Sequence, residues 1–171
     1  MIRLMVCIAG CLLAAQTLAL PDPVEHRFPE METVGQGDLR WFGFNVYQAT
    51  LWAPEGRYSP ERPFALEIVY RRDFTGEQLS AASAKELERL GYAAEEVSRW
   101  ERAMREVFPS VRSGERLTGL ADGNGGVLFY HDDEQVGHVT EAGFAEAFFA
   151  IWLDERTRNG RLRSALLGDS R

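Results

Sequence analysis

The chain has 171 residues, 45% of them hydrophobic and 26% charged, which suits one domain with a buried core and excludes a disordered chain, a collagen and a disulfide-knotted miniprotein. Nineteen Lys and Arg stand against 26 Asp and Glu, for a formal net charge of −7. The basic residues are scattered along the sequence, so a protein that tracks nucleic-acid phosphates is not expected.

Residues 1–19 read as a secretory signal peptide: Arg3, an apolar stretch over 4–15, then Thr17-Leu18-Ala19 with cleavage after Ala19. The apolar run is shorter than the roughly 20 residues a spanning helix needs, and Leu20-Pro21-Asp22-Pro23 breaks any continuation, so the chain is read as not membrane-spanning. Export places the protein in the periplasm or outside the cell. The competing reading is a lipoprotein box, Ile8-Ala9-Gly10-Cys11, which would leave a lipidated Cys11; it is disfavoured because the apolar region before Cys11 is short and continues past it. Cys7 and Cys11 both lie in the leader, so the remainder has no disulfide, thiol nucleophile or cysteine-ligated zinc. Lys85 is the single lysine; beside Glu86 and Glu88 on an exposed helix, it is not expected to be catalytic.

Residues 20–30, rich in proline and charge, read as an N-terminal arm, and 31–171 as the domain. Strand formers occupy 31–53, interrupted at Gly35, Gly37 and Gly43, before a loop over 54–63. Phe64, Leu66, Ile68 and Tyr70 then alternate at period two, the pattern of a half-buried strand. Thr75…Gln78 and Ser83…Glu86 each have the capping-box pattern of a helix start, with a stop at Gly91. Over 93–108, Val97, Trp100, Met104, Val107 and Phe108 share one helical face while Glu95/Arg99 and Glu101/Arg105 pair on the other, and Pro109 ends the helix. Strands follow at 115–121, 127–131 and about 135–139, joined by Asp122-Gly123-Asn124-Gly125-Gly126 and Asp132-Asp133. A helix over 141–153 aligns Phe144, Phe148, Ile151 and Trp152, and a short helix over 161–168 closes the chain. Strands, helices, strands and a helix without regular alternation give an α+β fold, an antiparallel sheet with helices on one face.

The chemistry-bearing patterns are sparse. His131-Asp132-Asp133-Glu134 with His138 has metal-ligand residue types, but the middle residues read as a hairpin turn, and no metal is assigned. The glycine-rich 122–126 segment is followed by no helix that would present amides to a phosphate, His26 lies in the arm without an evident partner, and no Gly-x-Ser-x-Gly occurs. No cofactor is expected. The aromatics Trp41, Phe42, Phe44, Tyr47, Trp52, Phe148, Phe149 and Trp152 read first as core; were a cleft to lie between sheet and helices, some would form an apolar wall suited to an acyl chain or a flat aromatic molecule, closed by Val97, Trp100 and Met104.

Gly35-Gln36-Gly37-Asp38-Leu39-Arg40, Val46-Tyr47-Gln48-Ala49-Thr50-Leu51-Trp52, Pro63-Phe64-Ala65-Leu66, Phe108-Pro109-Ser110-Val111 with Gly114, Phe129-Tyr130, Gly137, the 144–153 segment, and Leu162-Arg163 with Leu166-Leu167-Gly168 together resemble bacterial chalcone isomerase-like proteins in matching order. The resemblance implies an open-faced sandwich, an antiparallel sheet layered with helices and a cleft between them. One branch of that superfamily cyclises chalcones, using an arginine to place the phenolate and a threonine and a tyrosine to stabilise the enolate; Arg40 matches the arginine by position, while Tyr47 falls where the threonine would lie. Another branch holds a fatty-acid carboxylate with an arginine and a tyrosine, for which Arg40 and Tyr47 are again the matches. On one regular strand positions 40 and 47 face opposite sides, so they share a pocket only if the chain turns or bulges near Gly43; otherwise Arg40 pairs at the surface and Tyr47 packs in the core.

The expectation is therefore an exported, non-catalytic binder of a small amphipathic ligand such as a fatty acid or aromatic acid, with Arg40, Tyr47, Trp52, Trp100 and Phe148 as binding residues. The alternatives are an intramolecular lyase acting on a phenolic substrate, with Arg40 and Tyr47 as its catalytic groups, and a periplasmic partner protein whose cleft is filled by its own side chains.

Overall fold

The computed structural model describes residues 20–169; residues 1–19, read above as a signal peptide, and with them the lipoprotein alternative at Cys11, lie outside the described residues. Six strands, β1 (Met31–Trp41), β2 (Phe44–Pro54), β3 (Phe64–Tyr70), β4 (Arg116–Ala121), β5 (Val127–His131) and β6 (Glu134–Val139), form one antiparallel sheet in sequence order. Two helices, α2 (Gly76–Leu90) and α3 (Ala94–Val107), are inserted between β3 and β4; α4 (Phe144–Leu153) and α5 (Gly160–Leu166) follow β6. All four pack on the same face of the sheet, over Leu51, Phe64, Leu66, Ile68, Leu117 and Phe129. This is the α+β arrangement that the lack of regular strand–helix alternation in the sequence predicts.

The arm differs from its reading. Pro21 and Pro23 flank the start of a short helix, α1 (Asp22–Arg27), where a missing amide proton breaks no helical bond. Leu20 and Val24 are buried against Trp52, Ala65, Leu120, Leu128 and Tyr130 on the face of the sheet away from the other helices. The molecule thus has two apolar cores separated by the sheet. Covering both faces explains why all seven residues of β3 are buried, although period two predicted a strand buried on one side only.

The Thr75 capping box forms as expected: Thr75 Oγ1 accepts from the Gln78 N–H at 3.1 Å, and the Thr75 N–H donates to Gln78 Oε1 at 2.9 Å. The second helix-start pattern does not start a helix. The chain runs on through it, because the Ser83 hydroxyl donates to the Leu79 carbonyl one turn back at 2.9 Å.

Gly35 and Gly37 are explained by α5. A Cβ on Gly35 would stand 2.1 Å from the Ala165 carbonyl oxygen, and one on Gly37 would stand 2.8 Å from Leu162 Cδ1, so the absent side chains let α5 lie directly on β1.

Candidate functional site

At the β1–β2 end, the sheet and the helices part around a cavity of about 410 Å³, within the size range of small-molecule sites. Its floor is sheet: Leu39, Tyr47, Leu66, Ile68 and Tyr70. Phe74, Leu79 and Ala82 close it from the α2 side, and Phe148, Ile151 and Trp152 of α4 form the far wall. The rim carries Trp41, Lys85, Glu86, Arg158 and Asn159. A second hollow, beside α4 and the 55–63 loop, is lined by Glu61, Arg62, Asp154 and Arg156 and offers a far more polar surface.

Tyr47 is the polar point of the inner wall. Its hydroxyl oxygen accepts from Trp152 Nε1 at 2.9 Å, and its ring meets Tyr70 edge-on at 6.1 Å. Among the described residues its own proton has no acceptor. Burial pushes the Tyr47 phenol well above its ordinary range, the Trp152 hydrogen bond opposing and Glu86 adding to the shift; burial and the neighbouring Tyr47 do the same to Tyr70. Both phenols are therefore neutral throughout the physiological range, so Tyr47 can donate a hydrogen bond but is poorly suited to give up its proton.

Of the five residues singled out from sequence, the structure brings two together at the cavity, Tyr47 and Phe148. Trp52 faces the opposite side of the sheet, packed with α1. Trp100 is 1% exposed and lies in the core beneath Gly143 and against Tyr92, away from the cavity. Arg40 is exposed and pairs across the strands with Asn45; it does not line the cavity. The irregularity that could have joined it to Tyr47 exists, a bulge between Leu39 and Arg40 and a two-residue turn at Phe42-Gly43, but it turns Leu39 and Trp41 toward the cavity and leaves Arg40 outside. The two histidines also stay apart: His131 Nε2 meets Glu115 Oε2, and His138 Nε2 meets Asp122 Oδ2, each at 3.0 Å.

The cations that do reach the rim are Lys85 and Arg158. Arg158 Nη2 lies 3.1 Å from Glu86 Oε1, and Arg89 Nε donates to the other Glu86 oxygen at 2.8 Å. Lys85 is exposed, and among the described residues it forms no ion pair. Reading Lys85 only as a solvated helix residue missed that Ala82, Ser83, Lys85 and Glu86 flank the buried stripe of α2 on its cavity side.

The sequence profile described as chalcone isomerase-like matches residues 15–168. The chain belongs to the chalcone isomerase-like family. A relative in Haemophilus influenzae, an uncharacterized protein, is 28% identical over 145 residues, spanning 84% of this chain and 71% of its own. Among solved structures, the chalcone isomerase-like fold is shared with a fatty-acid binding protein of Arabidopsis thaliana at a TM-score of 0.63 and 10% identity, covering 82% of this chain and 88% of that one.

Proposed function

We propose that this chalcone isomerase-like protein binds a fatty acid or a comparable amphipathic acid without covalent chemistry, and that it does so after export directed by residues 1–19. The observation that carries the reading is the apolar cavity whose rim bears an unpaired lysine beside an arginine. An acyl chain placed among Leu66, Ile68, Phe148 and Ile151 leaves water for an apolar wall, while its carboxylate stays at the rim, where Lys85 and Arg158 meet it without the cost of burying a charge. The solved fatty-acid binding relative supports the same ligand class. The lyase alternative is supported less, because Arg40, the arginine that the resemblance matches to placing a phenolate, stands outside the cavity.

The test is titration of the full chain with palmitate by calorimetry, paired with mass spectrometry of an organic extract. One equivalent of palmitate is expected to bind. Ala82→Trp, which fills the mouth from the α2 side, abolishes binding, and Lys85→Glu/Arg158→Glu weakens it about tenfold or more, the scale of a charge-assisted contact. Titration heats identical in the parent and in Ala82→Trp would overturn the reading.

A further inference from the structure

The tip of the β1–β2 hairpin is unlike the rest of the surface. Trp41, Phe42 and Phe44 are 55%, 87% and 64% exposed, and they are the large hydrophobic side chains left bare among the described residues. Trp41 and Phe42 touch edge-on with ring centres 5.3 Å apart. Arginines scattered in sequence converge around them. Arg40 precedes the tip, the Arg71 N–H donates to the Val46 carbonyl at 2.9 Å and so brings the start of the next loop alongside, and the Arg72 guanidinium lies 5.5 Å over the Phe44 ring. None of the three is ion-paired among the described residues. Of the neighbouring acids, Asp73 accepts from the Ser113 N–H at 2.8 Å, and Asp38 is exposed further back on β1. A chain of net charge −7 thus presents a local patch of positive charge around bare aromatic rings.

The turn itself is costly. Phe42 and Gly43 both have positive φ, 48° and 83°, in a two-residue loop of the kind that favours Asn-Gly. A bulky side chain there is strained, and at 87% exposure Phe42 has no packing in the free molecule to offset it.

We propose that this hairpin tip docks on an anionic lipid surface, with Phe42 and Phe44 entering the headgroup–acyl boundary and Arg40, Arg71 and Arg72 on the lipid phosphates. Aromatic rings beside basic residues are the combination that the membrane interface stabilises. The tip is convex and would need a pocket in a protein partner, whereas a bilayer yields to it. A second copy would set the same three arginines against one another. Because Trp41 belongs to both the tip and the cavity rim, docking brings the cavity mouth to the lipid. The inference does not depend on what fills the cavity; membrane binding with no palmitate uptake would defeat the proposed function alone.

The test is flotation of the full chain with phosphatidylglycerol/phosphatidylcholine vesicles and with phosphatidylcholine alone, against two variants, Phe42→Asn/Phe44→Ser and Arg40→Gln/Arg71→Gln/Arg72→Gln. All carry the same residues 1–19, so the apolar 4–15 segment contributes equally and differences belong to the tip. The parent is expected to favour the anionic vesicles, with partitioning reduced about tenfold or more in either variant. Phe42→Asn relieves the turn, so thermal unfolding of the first variant occurs at no lower temperature than that of the parent, which separates lost docking from lost folding. Equal flotation of parent and variants overturns the proposal, as does a parent dimer that the tip substitutions dissociate, which would assign the tip to self-association.

Discussion

Glu67 lies in the middle of β3 on the face turned away from the cavity, 1% exposed, with Arg116 Nη1 3.5 Å from Oε2. Arg116 also reaches Asp133, its Nη2 lying 3.2 Å from Oδ1, so its charge is shared. Burial pushes the Glu67 carboxyl up to about 7, against 4.5 for the free group, and the Arg116 charge only partly opposes this. Between those two values the folded chain holds a proton that the unfolded chain has released. Glu67 therefore contributes most to stability below about pH 4.5, and that contribution falls as pH rises to about 7. In urea titrations from pH 5 to pH 8, Glu67→Gln is expected to remove this part of the decline, making the variant more stable than the parent at pH 8 by about 1–3 kcal/mol while differing little at pH 5. Parallel profiles for the two proteins would show that Glu67 ionises as freely in the fold as outside it. Nothing in the alternation of β3 distinguishes Glu67 from an exposed strand residue, because its burial depends on strands that flank β3 only in the folded sheet, where it lies between Thr50 and Thr118, and on Arg116 from the neighbouring strand. The outer position of Arg40, by contrast, is the one that strand parity gives; what the sequence leaves open is the irregular pairing that sets Leu39 opposite Tyr47, at a position that only pairing selects.

At the scale of elements, packing decided what patterning could not. The Thr75 cap, the Gly91 stop with φ of 93°, and the apolar face of α3 are local signals, and each is where the sequence puts it. The Gly35/Gly37 pair also reads correctly as a departure from regular strand chemistry, but its cause is α5, at the far end of the chain. Gly35→Ala is expected to destabilise the protein by about 1–3 kcal/mol or more, the range for overpacking, because the added methyl would meet the backbone carbonyls of Ala165 and Leu166 rather than a side chain able to rotate away. The strain should loosen α5 first. Hydrogen exchange is the measurement that locates it: amides of residues 160–168 are expected to lose protection while β3 and β4 keep theirs. Unchanged exchange over α5 would mean that β1 has moved instead.

For the whole molecule, the consequence of two cores is that the cavity and the N-terminal segment are energetically separable. The cavity belongs to the core under α2–α5, whereas Leu20, Val24 and Phe28 seal the other face over Trp52, Leu120 and Leu128. Order of strands and helices was readable from periodicity; a six-residue helix begun by two prolines was not, since its only strong signal is the burial of Val24, which is 0% exposed. Replacing Val24 by Asp would force a carboxylate into that seam, and the least costly response is for α1 to lift off the sheet. The loss is then bounded by the docking of one short segment, about 2–4 kcal/mol for two or three apolar side chains returned to water. Trp52 is the reporter: acrylamide quenching of the variant should rise, while its far-ultraviolet circular dichroism changes little. Palmitate affinity should stay within about twofold of the parent, because no residue of the cavity wall touches α1. A parallel loss of palmitate binding would show that the two faces of the sheet are coupled, and that the N-terminal segment helps to hold the cavity in shape from behind.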